Sequence, residues 1–218
     1  MKYIQLVIIS LLVILIFFQY KIVNTHSNSY DILQVNNPQK DKFEEILSKK
    51  CITVFTNIIK DLDVINDISY NDLKNMNDKN KSKLEILLNN HFKYYIIPMC
   101  IKYDFYLNLE NNGFQSNINK VTSYRFLYSQ IFGTKRLILF NTLQSKYLYI
   151  KNNKSLVDFW NQDLKKFPLL SKSKYIELVL SPGQMIYIPY GWFYCYKNTS
   201  DNIYITCKSE SLFSYLLK

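Results

Sequence analysis

Short runs of aromatic and β-branched residues follow one another through most of the second half of the chain. They occupy residues 94–98, 103–109, 126–132, 136–140, 175–180, 185–189, 192–196 and 203–207. Turn-forming residues at 181–183 and 199–201 separate some of these runs. Many short strands joined by turns, with few long helices, predict an all-β barrel or jelly roll with helical additions.

The stretch before these runs has a mixed pattern. Strands are predicted at residues 30–35 and 51–55, the second because CITVF is rich in β-branched residues. Between them, apolar residues recur at helical spacing after Pro38 and predict a helix. Further helical segments are predicted at residues 70–73, 83–88 and 157–167.

The N-terminus carries an uncharged apolar run, YIQLVIISLLVILIFFQY, between Lys2 and Lys21. About 20 such residues span a bilayer as a helix, and no polar face interrupts this run. The pattern predicts a single-pass membrane anchor over residues 1–22, a linker over 23–29 and one folded domain over 30–218. A cleaved signal peptide is the alternative, but no small-residue cleavage site ends the run.

Charge and cysteine content narrow the functional classes. The formal net charge is +10, yet the basic residues are scattered and form no run of five or more, so we find no specific nucleic-acid signal. The four cysteines contain no CxxC pair, which argues against a zinc site of the usual spacing. They could form two disulfides or serve as buried apolar residues, and the second interpretation is favoured. Nucleotide-binding, zinc-protease and serine-hydrolase motifs are absent from the sequence.

Two segments carry a family resemblance. Residues 176–196 read IELVLSPGQMIYIPYGWFYCY, and residues 129–140 read SQIFGTKRLILF. In this order they resemble the Pro-Gly-Asp…Ile-Pro…Gly-Trp-Trp-His and Gln-x-x-Gly-x-Lys-Arg segments of JmjC and cupin-like (cupin 8) domains. The resemblance extends over residues 30–218 and implies a mostly β fold. That fold is a double-stranded β-helix, or jelly roll, with flanking helices.

Active members of this family hold Fe(II) through a His-x-Asp pair and a later His, and they use 2-oxoglutarate as cosubstrate. The resemblance places these ligands at Lys120, Thr122 and Tyr194, none of which is a triad residue. The two histidines of the chain, His26 and His91, lie outside the matching segments. No iron, and no other metal or cofactor, is therefore expected to bind.

The cosubstrate-contacting positions that the resemblance implies match the family only in part. Lys135 matches the lysine that pairs with the distal carboxylate of 2-oxoglutarate in the hydroxylase branch, which includes the asparaginyl hydroxylase acting on hypoxia-inducible factor. Two cosubstrate-contacting Asn positions of that enzyme fall on Phe126 and Lys208. Either Tyr194, Thr122 and Phe126 fill the old cavity, or an anion binds there through Lys120 and Lys135.

These observations predict a catalytically inactive, membrane-anchored JmjC/cupin-like protein that acts as a binding or structural module. The alternative is an Fe(II)- and 2-oxoglutarate-dependent protein hydroxylase with atypical metal ligands. The expected partners are the membrane, an unidentified protein and a second copy of the chain, since barrels of this kind often form homodimers.

Overall fold

Two six-stranded β-sheets pack face to face and form the body of the molecule. The computed structural model describes residues 2–24, 27–58, 70–95, 100–211 and 214–215. Within these residues the strands are β1 Ile32–Asn36, β2 Ile52–Thr56, β3 Cys100–Glu110, β4 Asn119–Lys120, β5 Arg125–Phe132, β6 Lys135–Phe140, β7 Ile150–Lys151, β8 Lys154–Ser155, β9 Ile176–Leu180, β10 Met185–Tyr187, β11 Phe193–Asn198 and β12 Asn202–Ser211.

The strand order identifies the architecture. The first sheet has the order β1-β2-β10-β5-β12-β3, and the second has the order β7-β8-β4-β11-β6-β9. Among the described strands, β1 and β2 pair in parallel and the other pairs are antiparallel. The chain alternates between the sheets as it passes from β9 through β10 and β11 to β12. This arrangement fits the predicted jelly roll.

The space between the sheets is filled by a core that we call the inner cluster. The side chains of residues 192–196 point alternately into the inner cluster and away from it. Trp192, Tyr194 and Tyr196 belong to the inner cluster, whereas Phe193 and Cys195 belong to a second cluster on the outer face of the second sheet. Because side chains alternate between the faces of a strand, one short segment contributes to both cores. The inner cluster comprises mainly Ile52, Val54, Val121, Phe126, Tyr128, Leu137, Leu139, Leu180, Ile186, Ile188, Trp192, Tyr196 and Tyr204.

Helices cover the outer face of the first sheet. The helices are α1 Lys2–Asn24, α2 Lys40–Ser48, α3 Tyr70–Asn75 and α4 Asp78–Phe92. The last three pack apolar residues onto β2, β5, β10 and β12. The buried Arg125 of β5 links α2 to this sheet, because its guanidinium donates to both carboxylate oxygens of Glu44 at 2.8 Å. The helices predicted after Pro38 and around residues 70–73 and 83–88 are therefore confirmed.

The predicted membrane anchor is wrong. Among the described residues, none of the helices combines the length and the apolarity that crossing a bilayer requires. The single-pass membrane localisation that was predicted from this segment is wrong for the same reason.

Two further predictions differ from the structure. Residues 157–167 form turns rather than a helix. The carboxylate of Asp158 accepts the backbone N–H of Trp160, and that of Asp163 accepts the N–H groups of Lys165 and Lys166. Such local bonds compete with helix formation. The run at 94–98 begins within a 3-10 turn, and its residues 96–98 lie outside the described part of the chain. His26 of the linker also lies outside it.

The cysteines are free thiols. Cys51, Cys195 and Cys207 are buried, which confirms the interpretation that they are apolar core residues, whereas Cys100 is half-buried. Burial raises the pKa of both the Cys195 and Cys207 thiols. These two groups therefore stay protonated and unreactive near neutral pH.

Candidate functional site

The interior of the jelly roll contains two neighbouring layers of polar and aromatic side chains. Inward-facing positions recur every two residues, so Phe126 and Tyr128 on β5 lie in successive layers, as do Tyr194 and Tyr196 on β11. The first layer holds the positions that the family resemblance links to metal and cosubstrate. The second layer surrounds Lys135.

The first layer is closed by an aromatic pair. The rings of Phe126 and Tyr194 lie 5.1 Å apart between centroids, within the range of favourable aromatic contact. Phe126 is buried and Tyr194 is half-buried. Lys208 borders this pair, with its ammonium 5.7 Å from the centre of the Phe126 ring. This part of the interior is therefore occupied by side chains of the protein itself.

The three predicted metal positions lie on two backbone segments that pair with each other, but their side chains have different environments. Lys120 pairs in register with Phe193, and Val121 donates its N–H to the carbonyl of Trp192 at 2.8 Å. Directly opposed residues on antiparallel strands share a face. The register therefore puts Lys120 on the outer face with Phe193, whereas Tyr194 lies on the inner face. Thr122 is exposed.

The donors at these positions do not fit Fe(II). Ferrous iron in this family needs imidazole and carboxylate donors on one face of the metal. Burial raises the pKa of Tyr194 to about 12, so its phenol keeps its proton at neutral pH and is a poor metal ligand. Among the described residues, no group of three His, Cys, Asp or Glu side chains lies close enough to hold a metal ion.

The second layer holds a fully buried lysine. Lys135 begins β6 and has no exposed surface. Its ammonium lies 3.2 Å from a carboxylate oxygen of Glu110 and donates to the hydroxyl of Tyr128. The rings of Tyr196 and Tyr204 lie with their centres 3.7 and 3.6 Å from the same nitrogen. A desolvated ammonium gains from such ring contacts as well as from the carboxylate.

Glu110, the last residue of β3, receives hydrogen bonds on both carboxylate oxygens. One oxygen accepts the hydroxyls of Tyr196 at 2.8 Å and Tyr204 at 2.5 Å. The other accepts Lys135 at 3.2 Å and the side-chain amide of Asn198 at 3.1 Å. The Glu110 side chain is 14% exposed. Four donors thus replace the water that this carboxylate loses on burial.

Burial also changes the proton affinity of this layer. Desolvation lowers the pKa of Lys135 to about 7, and the neighbouring Glu110 opposes that shift. Burial raises the pKa values of Tyr128, Tyr196 and Tyr204, so the three phenols remain protonated hydrogen-bond donors at neutral pH.

We expect the stability of the protein to increase between about pH 7 and pH 8. In this window the unfolded chain keeps the proton on Lys135, whereas the folded protein releases it, so raising the pH favours folding. The slope should stay below about 1.4 kcal/mol per pH unit, the value for one proton, and should reverse at higher pH, where the Cys195 and Cys207 thiols ionise only in the unfolded chain. Urea unfolding at several pH values measures it. Lys135→Met should lose this slope, and a variant that keeps it would show that another group is responsible.

The sequence did not predict Glu110, Tyr128, Tyr196 or Tyr204 as site residues. The two-residue period of the strands was the available signal, because it places the tyrosines of β5 and β11 on the inner face with Lys135. A lysine inside a barrel also requires a nearby carboxylate. His91, which lies outside the matching segments, is in the last turn of α4, where its Nε2 hydrogen-bonds the carbonyl of Ile58 at 2.9 Å.

The two packed sheets and the pattern of the inner cluster define a protein of the jelly-roll class. Residues 120–207 match the family model of the Cupin-like domain. Together with the matches to JmjC-domain proteins described next, this shows that residues 120–207 are similar to JmjC/cupin-like domains.

Curated relatives match a similar share of the chain. It is 41% identical over 69 residues to the tRNA wybutosine-synthesizing protein 5 of Homo sapiens, covering 31% of this chain and 22% of that protein. It is 38% identical over 82 residues to the JmjC domain-containing protein D of Dictyostelium discoideum, covering 35% and 18%. It is 37% identical over 71 residues to the lysine-specific demethylase 8 of Xenopus tropicalis, covering 30% and 16%. The matched segment therefore spans about a fifth of these relatives.

Proposed function

We propose that this protein is a catalytically inactive JmjC/cupin-like protein that acts as a binding or structural module. The observation that carries the proposal is the contact between Phe126 and Tyr194, whose ring centres lie 5.1 Å apart. In the resemblance, Tyr194 stands at the later His ligand and Phe126 at a cosubstrate-contacting Asn. One aromatic pair thus takes the place of a metal ligand and of a cosubstrate contact.

The donor set supports the same proposal. At the three degenerate metal positions, Lys120 is a cation, Thr122 is exposed, and the Tyr194 phenol retains its proton. A cationic side chain repels a metal ion, and an exposed hydroxyl contributes no negative charge. We therefore propose that binding through the outer surface of the domain, and not redox chemistry inside it, is the activity of this protein.

An anaerobic titration tests the proposal on the full chain. Fe(II) is added in the presence of 2-oxoglutarate, heat is recorded by calorimetry, and succinate formation is assayed after oxygen is admitted. We expect no stoichiometric Fe(II) binding and no succinate above the buffer level.

Tyr194→Phe provides a matched control, because it keeps the ring packed on Phe126 and removes the phenol oxygen that could contact iron. We expect it to behave like the unmodified protein. If the unmodified protein binds one Fe(II) per chain and forms succinate, and Tyr194→Phe loses both, the protein is instead a 2-oxoglutarate-dependent hydroxylase with atypical ligands.

A further inference from the structure

The second layer of the interior, around Lys135, surrounds one carboxylate with hydrogen-bond donors. A cation, two phenol hydroxyls and one amide converge on a single carboxylate, that of Glu110, as described above. Charge-assisted hydrogen bonds of this kind are the stronger class in proteins. The geometry is therefore that of a site built to bind a carboxylate, and its occupant belongs to the chain.

The donors and the carboxylate come from different parts of the fold. Lys135 lies on β6, Tyr196 and Asn198 lie on β11, and Tyr204 lies on β12. Glu110 enters from the end of β3, an edge strand of the first sheet. The carboxylate is thus carried on the edge of one sheet and bound largely by residues of the other.

We propose that Glu110 is a tethered ligand that occupies a carboxylate-binding site centred on Lys135, and that the site accepts a small free carboxylate once the Glu110 side chain is removed. The inference rests on the proposed function, since it describes how the interior of an inactive jelly roll excludes an anionic cosubstrate. The ligand class is a carboxylate small enough to replace the missing atoms, and acetate is the matching probe for Glu110→Ala.

Tethering explains why the unmodified protein should ignore free carboxylates. A side chain that is already positioned loses no translational freedom on binding, whereas a free anion must lose it. A free dicarboxylate would also have to displace four existing hydrogen bonds of Glu110. We therefore expect neither acetate nor 2-oxoglutarate to stabilise the unmodified protein.

Thermal unfolding of the full chain tests the proposal without added metal. For Glu110→Ala, the midpoint should increase by about 3–6 °C for each tenfold increase in acetate above its Kd. Sodium chloride at equal ionic strength and neutral acetamide should not reproduce this increase.

Three further proteins serve as controls. The unmodified protein, Glu110→Gln and the double variant Glu110→Ala/Lys135→Met should show no acetate-specific shift. In the first two the site remains filled, and in the third the cation is missing. An equal shift in any of these three would overturn the proposal, as would a 2-oxoglutarate-induced shift in the unmodified protein that Lys135→Ala abolishes.

Glu110→Ala leaves Lys135 without its carboxylate and could be unfolded in plain buffer. In that event its refolding yield is measured with acetate, chloride or acetamide, and acetate alone should restore the folded state. If acetate fails while Glu110→Gln folds normally, the inference is wrong even when the Fe(II) titration is negative. Iron binding by the unmodified protein, in contrast, would overturn the proposed function.

Discussion

Replacing Lys135 by methionine should lower the free energy of unfolding by about 3–5 kcal/mol at pH 6. At this pH the ammonium is protonated, because its lowered pKa lies near 7. Methionine fills a similar volume but leaves the carboxylate of Glu110 buried without its cation. Removing one partner of a buried ion pair strands the other charge, and this penalty exceeds the value of the pair itself. Urea denaturation followed by circular dichroism measures the change.

Two controls separate the stranded charge from a general loss of packing. Lys151→Met removes an exposed lysine from β7 and should change stability by about 0.5 kcal/mol or less. The double variant Lys135→Met/Glu110→Gln has no buried charge at this position, so it should recover more than half of the lost stability. If the double variant is as unstable as Lys135→Met, the contact with Glu110 does not explain the effect.

Replacing Gly133 by alanine should lower the free energy of unfolding by about 3 kcal/mol. Gly133 lies in the turn between β5 and β6 with φ +74°, a conformation that residues with a Cβ rarely adopt. A Cβ at this position would lie 2.0 Å from the backbone carbonyl oxygen of Asp201. The turn before β12 would have to move, because backbone atoms cannot yield as a flexible side chain does.

Gly113→Ala is the matched control for this clash. Gly113 has nearly the same φ, +79°, but no atom lies within 4 Å of the position its Cβ would take. It should therefore show only the backbone penalty, about 1–2 kcal/mol. The difference between the two variants in urea denaturation measures the steric term. Equal losses would mean that the close approach to Asp201 has no energetic consequence.

Much of the β architecture could be predicted from the chain because its signal is local. Runs of aromatic and β-branched residues at 126–132 and 192–196 predict strands, and the structure places β5 and β11 there. The helix predicted at 157–167 is wrong because Asp158 and Asp163 bind nearby backbone N–H groups, a competition that apolar spacing does not reveal. The anchor prediction rested on the apolarity of one run of residues, but none of the described helices is long and apolar enough to cross a membrane.

The candidate site could likewise be predicted only in part from the sequence. The resemblance marked Lys135 as a residue that contacts an anion, and it marked Lys120, Thr122 and Tyr194 as degenerate metal positions, which remain a prediction. The identity of the anion could not be predicted. Glu110 precedes Lys135 by 25 residues and belongs to the other sheet. Spacing along the chain says nothing about which residues of two facing sheets meet.

The amino-acid sequence was sufficient for the similarity to a Cupin-like domain and for the types of residue at the predicted metal positions, because motifs and residue identities are properties of the chain itself. The contacts inside the candidate site depend on the tertiary structure. Only the packing of the two sheets brings Glu110 against Lys135 and two tyrosines, Tyr196 and Tyr204, and only the register of β4 with β11 separates Lys120 from Tyr194. The physical reason is that a two-residue period specifies the face of a strand, whereas contacts across the interior depend on how the two sheets are aligned.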